Sequence, residues 1–185
     1  MIPRMKRNLL LTAVMLAALF ALACGELDKA NKLVNEGNAA ITDGNKFVQD
    51  ALDKNTQVKD GLSSDFPANK DTVRASAQEA IKGFEQAAAK YREAAQKFDE
   101  ATRLKVDDKF KEYLQLKSKE FAKNAEQAEA ARDNLKAVLD SEDGNALQAA
   151  FEKNSERLDQ LDKEAKALNA QAEKIRQDNK DKFQQ

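Results

Sequence analysis

Apolar residues recur at alternating spacings of three and four along most of the chain, and this spacing constrains the fold more than any other feature. Such spacing places side chains on one face of an α-helix, whereas a half-buried strand alternates with period two. No segment alternates with period two. The pattern therefore predicts an all-α protein in which each helix turns one apolar face towards a core.

Three breaks divide the patterned part of the chain into four segments of similar length. The first surrounds Pro67, because proline and the residue before it both resist continuing a helix. The second precedes Asp107, the expected N-cap of the next helix. At the third, Asn145 followed by Gln148 resembles a capping box. We therefore expect helices at about 26–62, 70–105, 108–140 and 146–182.

Four long helices with short connections pack most simply side by side in alternating directions. Charged residues make up 34% of the chain and Trp is absent, a composition typical of long helices. Sustained heptads favour shallow left-handed crossings. The sequence predicts an antiparallel up-down-up-down four-helix bundle with coiled-coil-like heptads, formed as a single domain by residues 24–185.

Gly37 and Gly44 lie in the interior of the first predicted helix, where each costs about 1 kcal/mol relative to alanine. Gly37 and Gly44 are seven residues apart and share a face with Ala51. Either turns interrupt the helix at these glycines, or another helix approaches closely. Their common heptad position favours close packing.

If the first two helices fold back antiparallel at Pro67, each residue of one helix faces a particular residue of the other. The residue numbers of such a facing pair sum to about 135. Large side chains would face small ones at each level, which allows a close approach without voids. A sum of about 286 similarly pairs the last two helices about Asp143. The first register sets three aromatic residues, Phe84, Tyr91 and Phe98, opposite Ala51, Gly44 and Gly37.

Polar residues at three further places allow two interpretations each. Asn55 and Asn154 lie on apolar stripes. Their amides either are buried and select a register of the helices, or lie at a wet edge of the bundle. The wet edge is the favoured interpretation. The acidic stretch 141–143 lacks the longer spacing of an EF-hand, so a solvated turn is favoured over a calcium site. We expect no metal.

The first residues of the chain have the organisation of an export signal. Arg4, Lys6 and Arg7 precede an apolar run at 9–23 that only Thr12 interrupts. Because a membrane-spanning helix needs about 20 apolar residues, the shorter run favours a signal peptide over a permanent span.

The sequence Phe20-Ala21-Leu22-Ala23-Cys24-Gly25 resembles the lipobox of bacterial prolipoproteins. In that family the cysteine thiol receives a diacylglyceryl group and becomes the new N-terminus, with acyl chains such as palmitate. The resemblance implies that residues 1–23 are cleaved and that Cys24 carries a lipid anchor. It also implies the cell outer membrane if the source is Gram-negative, because no Asp follows the cysteine.

The chain departs from the lipobox in having Ala21 where the family prefers Leu. Ala21-Leu22-Ala23 also fits an ordinary secretory cleavage site, which would release a protein that is not anchored. Cys24 is the only cysteine and stands where lipidation would use it, so the lipoprotein is favoured.

The composition removes several classes of function. Without histidine the chain has no His-based triad and no His-ligated zinc or haem. Residues 24–185 carry 28 basic and 32 acidic residues with alternating signs, which argues against nucleic acid as a partner. We therefore expect no enzyme and no cofactor. The favoured function is a lipid-anchored scaffold or binding module for an unknown envelope or surface protein.

Two alternative functions remain open. Tyr91, Ala94, Phe98 and Ala101 resemble the second helix of a tetratricopeptide repeat, although any heptad bundle shows this spacing. The other alternative is a carrier that holds a small ligand within the bundle, for which the many alanines predict close helices and little room. A closed apolar cavity or an exposed apolar patch would discriminate between these functions.

Overall fold

The structure is a computed structural model that describes the backbone of residues 4–63, 66–140 and 144–183. It describes the side chains of residues 25–62, 70–137, 139–140 and 155–183. Within these ranges the chain forms only helices, which confirms the all-α class. In chain order they are α1 (Arg4–Ser63), α2 (Phe66–Thr102), α3 (Asp108–Asp140), α4 (Gly144–Asp178) and a short 3-10 helix, Lys180–Lys182.

The four long helices form a bundle in which each packs against the next in the chain. Among the described residues, helices that are not consecutive touch only sparsely. α2 and α3 therefore occupy the interior positions, and α1 and α4 flank them. Ion pairs between α1 and α2 join Glu36 to Lys97 at 2.7 Å and Lys54 to Glu79 at 2.6 Å, as antiparallel packing requires.

The apolar stripe of α2 is buried along its whole described length because α2 lies between α1 and α3. Gly83, Ala88 and Ala95 beside the stripe are buried as well, which extends the contact surface beyond one helical face. The predicted stripe residues, all buried, are Val73, Ala77, Ala80, Phe84, Ala87, Tyr91, Ala94, Phe98 and Ala101.

α2 begins four residues earlier than predicted, at Phe66. Pro67 therefore lies inside the first turn rather than in a break. The N–H groups of a first turn have no partner within the helix, so the proline there removes no hydrogen bond, and its fixed φ suits the helix.

α2 also ends earlier than predicted, at Thr102 instead of residue 105. The N–H groups of Arg103 and Leu104 donate to carbonyls three residues back, which tightens the last turn and ends the helix. α3 then begins at Asp108 as predicted. The N-cap is Asp107, whose Oδ1 accepts a hydrogen bond from the Lys109 N–H at 2.8 Å.

The bounds of the two outer helices also differ from the predictions. α1 begins at Arg4 rather than near residue 26 and continues through both glycines without a positive φ, so the interpretation as turns is wrong. α4 begins at Gly144, which places Asn145 inside the helix instead of at its cap. It ends at Asp178 because Asn179 leaves the helical conformation, and its side chain donates to the Ile175 carbonyl at 2.9 Å.

Candidate functional site

Glycines on α1 receive the aromatic rings of α2. A Cβ added at Gly37 would lie 3.2 Å from the Phe98 ring, and one at Gly44 would lie 2.8 Å from Tyr91. Both pairs have numbers that sum to 135, the register expected from the sequence. Ala51, the third small residue of this face, is buried at 1% exposure.

Gly83 on α2 is a close contact that sequence reasoning missed. A Cβ there would lie 2.9 Å from the Ala51 Cβ and 3.2 Å from the Phe47 carbonyl oxygen, so the two backbones approach each other at this level. The sequence did offer a signal, since Gly83 is the only glycine inside α2 and directly precedes Phe84, which the predicted register sets opposite Ala51. Ala51 therefore packs against Gly83, beside Phe84.

Tyr91 is fixed by contacts on two sides. Its hydroxyl donates to Asn45 Oδ1 at 2.7 Å, and its ring centroid lies 6.0 Å from that of Phe121 on α3. Burial raises the pKa of the Tyr91 phenol, so the hydroxyl remains a donor at neutral pH. Tyr91 thereby connects all three of the first helices.

A groove of about 520 Å³ lies between α1 and α4, above a floor formed by α2 and α3. We call it the amide groove because four of its described lining residues carry side-chain amides. Leu52 at its edge is 44% exposed and is the only large hydrophobic side chain exposed among the described residues. The described lining residues are Val48, Leu52, Asn55, Lys59, Phe84, Tyr91, Asn124, Gln127, Ala128, Ala131, Asn134, Leu135, Ser155 and Leu158.

One of the amides in the groove has an unsatisfied acceptor. Asn134 is 7% exposed, and its Oδ1 has no hydrogen-bond partner among the described residues. A buried acceptor without a donor costs free energy, on the order of 1–3 kcal/mol. The described lining contains one lysine, Lys59, and no carboxylate. The described lining is therefore mainly apolar, with a few amides and one charged side chain, a chemistry typical of small-molecule sites.

The expectation that alanines leave little room for a ligand is wrong. Small side chains do bring α1 and α2 together, but Ala128 and Ala131 on α3 face a space that no described side chain of a neighbouring helix fills. Because α1 and α4 touch only sparsely, these alanines do not occupy the volume between them. Asn55, on the stripe of α1, lies half-buried at this wet edge of the bundle.

A second polar cluster joins α3 to α4 outside the groove. Lys117 Nζ lies 2.6 Å from Glu120 Oε2 and also donates to Asn169 Oδ1 at 3.1 Å. Burial raises the pKa of the Glu120 carboxyl, and Lys117 opposes that shift. The Lys117–Asn169 pair has numbers that sum to 286, the register expected for these helices. The amide groove contains none of these three residues, and the cluster acts as a structural connection between the two helices.

Several predicted residues lie outside the described side chains, among them Cys24, Asn154 and the acidic stretch 141–143. In the described part of the chain, no group of three or more acidic, histidine or cysteine residues could hold a metal ion. Among the described residues, no helix combines the length and the apolarity that crossing a membrane requires.

The helix lengths do not fit the tetratricopeptide alternative. That repeat places two helices within about 34 residues, whereas α2 alone has 37 residues and α3 has 33. No protein-family model, no curated protein and no solved structure matches the chain.

Proposed function

We propose that the chain is a lipid-anchored lipoprotein of the bacterial cell envelope that binds a ligand in the amide groove without catalysing a reaction. The observation that carries the binding role is the groove itself, a mainly apolar volume of about 520 Å³ in whose lining the Asn134 Oδ1 has no partner among the described residues. Its size lies within the range of about 300–1,000 Å³ that is usual for ligand pockets. This favours the carrier over a scaffold that uses only its outer surface.

The proposed anchor rests on the signal-like first residues and on the single cysteine. The groove lies well beyond the anchor along α1, because at about 1.5 Å per residue Val48 follows Cys24 by about 36 Å of helix. A ligand in the groove would then be held by residues of the bundle and not by the lipid of the anchor.

Metabolic labelling tests the anchor. The wild-type protein, produced in a bacterial host with an alkyne palmitate, should become labelled and fractionate with membranes. Cys24→Ala should abolish the label, because no other cysteine is present in the chain. A wild-type protein that is unlabelled and free of membranes would show ordinary secretion instead of lipidation.

Native mass spectrometry of the full-length protein extracted from its membranes tests the binding role. The wild type should carry a non-covalent additional mass. Ala131→Phe should remove that mass, because Ala131 lines the groove and a phenyl ring there would obstruct it. The matched control is Ala122→Phe, on an exposed position of the same helix, which should retain the mass. An equal additional mass on all three proteins would exclude the groove as the binding site.

A further inference from the structure

The shape of the amide groove follows from its position along the helix axes. On α1 the lining extends from Val48 to Lys59, and on α3 it extends from Asn124 to Leu135. At about 1.5 Å per residue, each stretch is about 16 Å long. The groove is therefore elongated and runs parallel to the helices, which suits a chain-like ligand better than a compact one.

Polar and apolar residues follow one another along the α3 side of this groove. Asn134 lies towards one end of the α3 lining, and Asn124 and Gln127 lie towards the other end. Between them the α3 lining consists of Ala128 and Ala131. A ligand that fits this order has an apolar middle and at least one polar end.

Asn134 determines the polarity of that end. Its Oδ1 accepts hydrogen bonds, is buried in the lining and has no donor among the described residues. The missing partner must therefore be an O–H or N–H group. An ionised carboxylate or phosphate has only acceptors and would leave Asn134 unsatisfied, so the headgroup needs a hydroxyl or an amide.

We propose that the amide groove binds a single-chain amphiphile whose headgroup donates a hydroxyl or N–H hydrogen bond to Asn134. This inference rests on the proposed function, because it names the ligand class of the same groove. The apolar chain would cover Leu52, the exposed hydrophobic side chain at the edge of the groove. A partner helix is the competing occupant, but it would bring its own backbone already hydrogen-bonded and so could satisfy Asn134 only through a side chain.

Photo-crosslinking of the full-length protein in isolated membranes tests the ligand class. The probe is a monoacylglycerol whose dodecanoyl chain carries a diazirine, and isolated membranes are used so that the probe is not incorporated into the anchor. Irradiation should produce adducts on peptides that contain Leu52 and Leu158, on opposite sides of the groove. Ala131→Phe should reduce these adducts about tenfold, and Ala122→Phe should leave them unchanged.

A second probe, identical except that both hydroxyls are methylated, tests the donor. The wild type should bind it about fivefold more weakly, because it cannot donate to Asn134. Asn134→Leu should bind both probes with equal affinity. This variant should fold with at least wild-type stability, since it removes a buried acceptor that has no partner among the described residues.

The remaining outcomes of these experiments contradict different parts of the proposal. If the wild type carries the additional mass that Ala131→Phe removes, but neither probe labels the groove, the binding role stands and the ligand class is wrong. Equal labelling by both probes in the wild type and in Asn134→Leu excludes recognition of a donor. Adducts spread evenly over exposed helix faces, or crosslinks from the groove to another protein, would overturn the proposal of an amphiphile.

Discussion

Single residues determine how closely α1 and α2 approach. At Gly83 an added Cβ would meet backbone atoms of α1 as well as a side chain, so moving a flexible side chain could not relieve the contact. Gly83→Ala should lower the free energy of unfolding by about 1–3 kcal/mol, because the new Cβ meets Ala51 and the Phe47 carbonyl. The loss should occur although alanine favours a helix by about 1 kcal/mol. Urea denaturation measures it.

Two further variants identify the cause of that loss. Ala51→Gly in the same chain should recover part of the stability, because it removes the Cβ that lies 2.9 Å away. Gly25→Ala should be neutral or stabilising, because nothing lies within 4 Å of a Cβ at that position. Strictly additive effects of Gly83→Ala and Ala51→Gly would show that the two residues do not meet.

The buried carboxyl of Glu120 predicts a dependence of stability on pH. Burial raises its pKa above the ordinary value of 4.5, so the folded protein binds this proton at pH values where the unfolded chain has released it. The stability that the group contributes is present in acid and is lost as the pH rises through the folded pKa. Glu120→Gln, which does not titrate, should therefore gain stability relative to the wild type from acid to neutral pH.

Glu164 provides the control of opposite sign for this experiment. Hydrogen bonds from Gln160 and Lys123 lower its pKa, so its stabilisation is present at neutral pH and lost in acid. Glu164→Gln should therefore lose stability relative to the wild type as the pH rises. Thermal melts of the three proteins across this pH range measure both trends, and parallel curves for the two variants would contradict the assignment.

At the scale of the helices, the sequence predicted the number, type and pairing of the elements, because the heptad spacing depends only on which residues are apolar. It predicted the ends of the helices less well. Pro67 marked the position of a connection, but proline is as compatible with a first helical turn as with a break. The predicted start of α2 therefore lies four residues later than the observed one. The end of α2 depends on local hydrogen bonds that no spacing encodes.

The N-cap of α3 is the helix end that sequence and structure agree on, and it can be tested directly. Asp107→Ala should lower the free energy of unfolding by about 1 kcal/mol, because the Lys109 N–H loses its acceptor. Asp107→Asn should retain most of the stability, since asparagine caps a helix equally well. The weak surface contact with Lys182, at 3.9 Å, contributes little in either case. Equal losses in both variants would show that charge, and not capping, stabilises this end.

At the scale of the whole molecule, the closure of the bundle depends on more than pairs of helices. Registers of facing residues are determined by two helices at a time, so α1 with α2 and α3 with α4 could be paired from their stripes. Whether the fourth helix closes on the first depends on all four helices together, and it leaves no period in the sequence. The amide groove arises at that unclosed side, which is why Asn134 carried no sequence signal as a site residue.

The sequential packing of the bundle predicts unequal protection of its helices. α2 is buried by neighbours on both sides, whereas the described part of α4 buries only Leu161, Ala165 and Ala172. Local opening requires less free energy where fewer apolar contacts are lost. In hydrogen exchange of the full-length protein, the amides of α2 should therefore exchange most slowly. The amides of α4 should exchange faster than those of α2. The monoacylglycerol should slow exchange in α4 more than in α2, because it would contact α4 on the side that faces the amide groove. Equal exchange in both helices would mean that the molecule opens only as a whole and that α4 is as firmly packed as the interior.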